Sequence, residues 1–330
     1  MKNLELLLPF SLPPAELRND LIKAIQAPAL ANLLAASATA ESDAADGFSN
    51  ALPHEYWLAG YPALPSSANS PAISLHQMAA YNLSANDGYW FLLQPVHIHI
   101  ARDHLVLTDQ RRLDLSEQES KELFDIAKTV AADAGFSLIY GDAQHWFLRA
   151  DNWSELQTAT PDAACGHNID IWMPKGQEAR AWRKFQNEIQ MLWFTHDINQ
   201  EREAIGKKAV NSVWLSGGSD SRLNSFKSVQ KTARFNQLPA ATGQAICILA
   251  DTLIEPALNN DWGTWLQELG RLEENWFVPV YDALRQRQLK QVTLICSDHR
   301  QLLSYRLSPW SLYQFWRRPH LQKLFPSAQP

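Results

Sequence analysis

Several things are scarce in this chain, and each scarcity excludes something. Its three cysteines, Cys165, Cys247 and Cys296, lie far apart, are odd in number and form no C-x-x-C pair. That leaves no disulfide framework and no thiolate zinc site, and it suits packed thiols in a reducing compartment. Charge is sparse as well: 19% of the 330 residues are Asp, Glu, Lys or Arg, with a formal net charge of -6. Basic residues occur as isolated pairs such as Lys207-Lys208 and Arg317-Arg318. Without a basic block there is no electrostatic footprint for nucleic acid. No apolar run is long enough to span a membrane. The opening MKNLELLLPFSLPP has one Lys, and its apolar run is interrupted by Glu5 and closed by prolines, unlike a secretory leader. A cytoplasmic location is expected, with neither nucleic acid nor membrane as partner. The motifs G-x-S-x-G, H-E-x-x-H and G-x-x-x-x-G-K-[ST] are all missing. Nucleophile-elbow hydrolases, zincins and P-loop nucleotide hydrolases therefore have no support.

What is present is apolar and aromatic. Hydrophobic residues make up 46% of the chain, including 13 tryptophans, which read as core and interface filler. Residues 4–10 predict a buried strand, and residues 15–36 have helical spacing interrupted at Pro28. Residues 37–75 are rich in Ala, Ser and Pro and hold the aromatic knot Tyr56, Trp57 and Tyr61, a pattern that predicts a long structured loop. Two strands follow from Tyr89, joined at residues 101–103, then a helix over 116–134 opened by a Ser116–Glu119 capping box. A hairpin turning at Gly141-Asp142 completes a β-β-α-β-β block. The clearest helix covers residues 178–205, with Gly206 as its stop. Strands over 210–215, 245–250 and 292–296, with a helix over 262–287, complete the pattern. Helices alternating with apolar strands predict an α/β fold with a mostly parallel sheet.

Ligands of open α/β sheets bind beyond the carboxyl ends of the strands. Two motifs fall there. Asp298-His299 follows the strand LKQVTLIC, and a carboxylate beside an imidazole suits a divalent metal. Gly217-Gly218-Ser219 follows VNSVWLS, where the backbone could approach an anion or simply turn. His97 and His99 share one face of a strand, either as metal ligands or as half-buried hairpin histidines. On the helix 178–205, Glu188, Thr195, Asn199 and Arg202 form a polar stripe. That stripe could place Arg202 as an anion clamp, or pack by hydrogen bonds against another element.

Several stretches, in order, resemble the archaeal-type cofactor-independent phosphoglycerate mutases of the alkaline-phosphatase superfamily. PALANLLAAS (28–37) is similar to their early helix, and EYWLAGYP (55–62) to their helix ending in Leu-x-Gly-Tyr-x-Pro. TDQRRLDLSEQES (108–120) resembles their Arg-Arg segment before an insert-domain helix, and CSDHR (296–300) their closing Asp-His metal motif. FTHDINQEREAIGKKAVNSVWLSGGS resembles a family segment carrying an Asn, an Arg and a late Gly-x-Gly. The whole chain is also similar to the RpfE-type regulatory proteins of bacteria. The resemblance implies an alkaline-phosphatase-like core over residues 1–87 and 166–330, with an inserted α+β subdomain over 88–165.

Departures from the family pattern shape the functional expectation. The family's first strand ends in a metal-binding Asp; here LELLLPFSLPP has no acid at that end. The nucleophilic Ser precedes the Gly-Tyr helix; here the segment reads NALPHEY. Of the metal ligands only Asp251, Asp298 and His299 have counterparts, whereas two metals need about six ligands. The resemblance therefore implies a catalytically degenerate relative acting as a regulatory or binding module. Its expected pocket comprises Asn199, Arg202, Asn211, Gly217 and Gly218, and its expected ligand is a small phosphorylated or carboxylated molecule. One alternative is an active phosphatase or mutase holding Mn or Zn with His54, Asp251, Asp298 and His299. Another is an interaction factor whose exposed tryptophans meet a protein partner.

Overall fold

A computed structural model describes residues 2–44, 47–65, 69–85, 87–222, 225–238, 245–313 and 317–325. The chain forms two compact units. The first joins Met1–Gly47, Pro62–Leu64 and Lys227–Pro330; the second joins Phe48–Tyr61 and Pro65–Phe226. Along the described chain run strands β1 (Lys2–Leu8), β2 (Ala38–Ala44), β3 (Trp90–Val96), β4 (Ile98–Ala101), β5 (His104–Leu107), β6 (Ser137–Tyr140), β7 (Trp146–Arg149), β8 (Ser212–Ser219), β9 (Val229–Gln230), β10 (Ile246–Leu249), β11 (Leu289–Ser297) and β12 (Gln301–Leu307).

The first unit is an α/β layer around a mixed, mostly parallel sheet in the order β2-β12-β11-β1-β10-β9. β1 lies parallel to both β10 and β11, and β9 parallel to β10, whereas β12 runs antiparallel to β11 and β2. Continuous apolar runs suit strands covered on both faces. Leu6, Leu7, Leu294 and Cys296 are all fully buried in the two central strands. The helix Pro28–Ala36 begins with Pro28 at its first position, and no N-cap side chain serves it. Glu273, from far along the chain, takes that place by accepting the N–H groups of Ala29 at 2.5 Å and Leu30 at 3.1 Å. A carboxylate there also meets the positive end of the helix dipole. Glu273 sits in a π-helical turn, Glu273–Phe277, between the helices Trp262–Leu272 and Val278–Arg285. Pro279 follows at once and has no N–H for the regular ladder, which favours a widened turn.

The edge of this sheet departs from the sequence expectation. Residues 37–75 contain β2 and the helices Pro53–Leu58 and Ser74–Ala80. β2, ATAESDA, has little apolar content and is a strand because β12 pairs with it. β12 itself extends the hairpin past Asp298, burying Leu302, Leu303, Tyr305 and Leu307.

The second unit has a four-stranded antiparallel sheet, β6-β7-β3-β8, and the separate hairpin β4-β5. It reaches well beyond residues 88–165, because β8 pairs along the length of β3 instead of joining the parallel sheet. Helices Glu117–Asp133 and Ala179–Phe194 supply much of its core. The first opens with the expected capping box: Ser116 accepts from the Glu119 N–H, and Glu119 accepts from the Ser116 N–H. Trp146, Trp153, Trp182 and Trp193 are buried here, with Trp146 edge-on to Trp193 at 6.0 Å and Trp153 edge-on to Trp182 at 5.9 Å. These tryptophans fill a core. The helix expected over 178–205 is two helices, ending at Phe194 and restarting at Asp197. His196 has extended backbone, and its Nδ1 accepts the Ile198 N–H at 3.3 Å, so the imidazole caps the second helix.

Candidate functional site

Gly217-Gly218 is neither a phosphate loop nor a strand-exit turn. β8 continues through both residues to Ser219. Trp90 pairs with Ser219 and Leu92 with Ser216, so β8 carries one residue more than β3 between those pairs. This is a β-bulge, with Gly217 at φ +67° supplying the left-handed backbone that such bulges use. A Cβ on Gly218 would lie 2.5 Å from the Phe91 ring, so that glycine is required for close packing.

Among the described residues, Asn199, Arg202 and Asn211 spend their polar groups internally. Asn199 donates to the carbonyls of Trp193 and Val210, both at 2.9 Å, and accepts the Val210 N–H at 2.7 Å. Asn211 exchanges two 2.8 Å bonds with the backbone of Ile98, tying β8 to the β4-β5 hairpin. Arg202 is 1% exposed. It donates to the Lys208 carbonyl at 2.8 Å and the Leu113 carbonyl, and forms an ion pair with Glu119 at 2.8 Å. A guanidinium so occupied is a buried cross-link, not an anion clamp.

The expected metal residues are likewise committed. Asp298 Oδ1 accepts the N–H groups of Arg300 at 2.7 Å and Gln301 at 2.8 Å, closing the β11-β12 hairpin as an Asx turn. Burial pushes its pKa up, against the pull of those N–H groups. Asp298 and His299 border a cavity of about 250 Å³ with Phe10, Asn260 and Trp262. His299 meets Phe10 edge-on at 4.8 Å. Asp251 borders a different cavity and pairs with Lys231 at 2.6 Å. Among the described residues no three His, Cys, Asp or Glu side chains come together to hold a metal ion. His54, the other replacement ligand, is buried in the second unit. His97 and His99 stack at 6.0 Å; His97 Nδ1 bonds the Ala209 carbonyl at 2.7 Å, and burial lowers both pKa values.

A polar cleft lies within the second unit. It is a cavity of about 220 Å³ bordered by Glu55, Gln77, Arg111, Gln144, His145 and Asp162, among others. Glu55 is at the third position of the helix Pro53–Leu58, where its Oε2 accepts the Leu52 N–H at 2.7 Å. Leu52 has no hydroxyl to return the bond, so this is half of a capping box. The Thr160 hydroxyl, itself the N-cap of the helix Pro161–Ala164, donates to the same oxygen at 2.7 Å. Desolvation, reinforced by the nearby Asp162 charge, lifts Glu55 from 4.5 to about 8. Asp162 receives both terminal nitrogens of Arg111, and Arg111 also reaches Asp109 at 2.7 Å. Burial opposes the charge on Arg111, but Asp162 and Asp109 outweigh it and hold the guanidinium protonated. Asp162 is raised by burial too, against the pull of Arg111, so burial favours the neutral form of both carboxyls.

On another wall His145 Nδ1 lies 2.9 Å from Asp142, which also accepts the Tyr81 hydroxyl at 2.5 Å. Burial works against the Asp142 charge, yet His145 and Tyr81 hold its pKa well below the usual range. Gln94 donates to Gln110 at 2.8 Å, and Gln110 to the Gln144 carbonyl at 3.1 Å. Of these residues only the TDQRR segment carried a signal in the sequence, and Glu55 lay unnoticed inside EYWLAGYP.

No protein-family model matches the chain, and no curated protein matches it. In three dimensions it is similar to a cofactor-independent phosphoglycerate mutase from Thermoplasma acidophilum, at 13% identity over 93% of this chain and 90% of that one, with a TM-score of 0.36. It is also similar to the PH0037 protein from Pyrococcus horikoshii, at 11% identity over 93% and 87% of the two chains, with a TM-score of 0.47.

Proposed function

We propose that the protein is a small-molecule-binding module on a phosphoglycerate-mutase-like scaffold, and that its site is the polar cavity of the second unit. The observation that carries this reading is the convergence of Glu55, Arg111, His145, Thr160 and Asp162 on one cleft. A cavity with convergent polar groups and a strongly shifted carboxyl is where ligands are expected. The family's phosphotransfer chemistry has lost its supports. β1 leads into Phe10 and Ser11 with no acid, NALPHEY offers no Ser, and Asp251 and Asp298 border separate cavities. A binding protein of this kind acts by reporting its ligand to a partner, in keeping with the resemblance to RpfE-type regulators. Three buried, unpaired thiols fit a reducing cytoplasm.

A thermal-shift screen of small polar compounds tests the reading, with wild type beside Gln77→Trp, which fills the cavity. Ligand-induced stabilisation of wild type that disappears in the variant supports it. A panel of cations, neutral polyols and anions that leaves wild type unchanged overturns it.

A further inference from the structure

The helix Ala179–Phe194 has two unlike faces. One packs Trp182, Phe185, Ile189 and Trp193 into the core of the second unit. The opposite face carries Arg180, Lys184, Asn187, Met191 and Phe194, spaced four, three, four and three residues apart. That is the spacing of a seam that lies along another helix. Its first half is polar, as a solvated face should be. Its last turn is not: Met191 is 76% exposed, Phe194 81%, and Leu192 on the flank 46%. A single exposed apolar residue is ordinary, but three within four residues of one helix end form a patch that gains by being covered.

Charge changes sign across this patch. Before it stand Arg180, Arg183 and Lys184, all exposed; just after it, on the helix Asp197–Ala204, stand Asp197 and Glu201, exposed as well. None of these five joins an ion pair among the described residues. Glu188, also exposed, is the acid nearest the centre of the patch. A cationic flank, an apolar centre and an anionic flank in that order make a surface that complements itself when turned by a two-fold axis. A different protein would have to carry the same order reversed; a second copy has it by symmetry.

We propose that two copies of the chain associate through this face, antiparallel across Met191 and Phe194, with Arg183 and Lys184 of each copy opposite Asp197 and Glu201 of the other. Lys184 lies about 10 Å from Met191 along the helix, and Asp197, six positions beyond Met191, is within the same reach. An antiparallel crossing therefore brings the basic flank of one copy beside the acidic flank of the other. The patch excludes water and carries most of the affinity. The charges set direction, because a parallel arrangement would place like signs together. The apolar centre is one helical turn, so the dimer is a transient one that forms in the micromolar range.

Sedimentation velocity of the full chain from about 1 to 200 µM tests this, and a dimer is expected within that range. Phe194→Asp, with its fold checked by circular dichroism, is expected to weaken association about thirtyfold or more. Reversing one flank alone, as Arg183→Glu with Lys184→Glu or as Asp197→Lys with Glu201→Lys, sets like charges opposite each other at both ends of the interface. Either reversal should weaken the dimer about tenfold or more. Mixing the two reversed proteins puts opposite signs back at both ends, so the mixture should form a heterodimer of wild-type strength. A chain that stays monomeric throughout, whether or not it captures another protein, overturns the proposal. So does a dimer that Phe194→Asp leaves intact, or a pair of reversed flanks that does not recover on mixing.

Discussion

The acids beyond the strands of the first unit and the charges of the second are held in opposite ways. In the first, the acids beyond the parallel strands are tied to local turns and solvent: Asp298 closes a hairpin, and Asp251 pairs with a Lys231 that is 68% exposed. In the second, charge lies inside. Arg202 is buried against Glu119, and Arg111 holds Asp109 and Asp162 beside a neutral Glu55. The strand tips resemble a catalytic edge in sequence and do little electrostatic work together. The unit whose expected pocket residues are cross-links instead contains a polar cleft. Position in the fold is thus a weaker guide to function than what each charge is paired with.

The comparison breaks most visibly if the interior charges prove dispensable. Arg111→Ala leaves Asp109 and Asp162 without their cation, and Arg202→Ala strands Glu119 and the carbonyls of Leu113 and Lys208. Removing one partner of a buried pair costs about 3–5 kcal/mol. Urea unfolding should show that loss for Arg202→Ala and a smaller one for Arg111→Ala, whose side chain is 32% exposed, and a loss under about 1 kcal/mol would place these pairs with surface ones.

Comparable in size is the pH response. Glu55 has an ordinary pKa of 4.5 unfolded and about 8 folded. Between those values the folded protein holds a proton that the unfolded chain has released, so stability falls as pH rises through that window. The contribution is full below 4.5 and gone above about 8. Its size is on the order of 5 kcal/mol. Melting temperatures of wild type and Glu55→Gln should converge at low pH and separate as pH rises, with the variant more stable; parallel curves would refute a protonated Glu55.

Asn199→Ala is expected to cost about 1–3 kcal/mol, since it leaves the Val210 N–H and carbonyl unanswered. Exposing the side chain to solvent instead, as a ligand pocket would, predicts almost no change in a thermal melt.

What the sequence disclosed was local. The Ser116–Glu119 box, the Pro28 helix start, the Gly141-Asp142 hairpin and the runs LELLL and VTLIC each act within a few residues. β2 is not legible as a strand because its strand character comes from β12, itself held as the return strand of the β11 hairpin. The Gly217-Gly218 stretch was legible as a break, but a bulge is defined by the count on β3. Amphipathic spacing could not separate a polar face turned to solvent from one turned inward. The residue that decides for Arg202 is Glu119, 83 positions away. Likewise Arg111 and Asp162 are 51 positions apart, and no motif spacing announces such a pair.

The smallest effect bears on the catalytic alternative. Asp251→Ala removes one exposed ion pair with Lys231, worth about 0–1 kcal/mol. Asp298→Asn keeps the side-chain oxygen that accepts from Arg300 and Gln301 and relieves a carboxylate whose burial is unfavourable, so it too should be mild. If these acids serve only their turns, Mn²⁺ or Zn²⁺ should shift the melting of wild type and both variants alike. A metal that stabilises wild type alone would mean the strand tips do act together, since binding to the folded state raises its stability by mass action. That single result would reverse the contrast between the units, making the first the chemical one and the second its structural support.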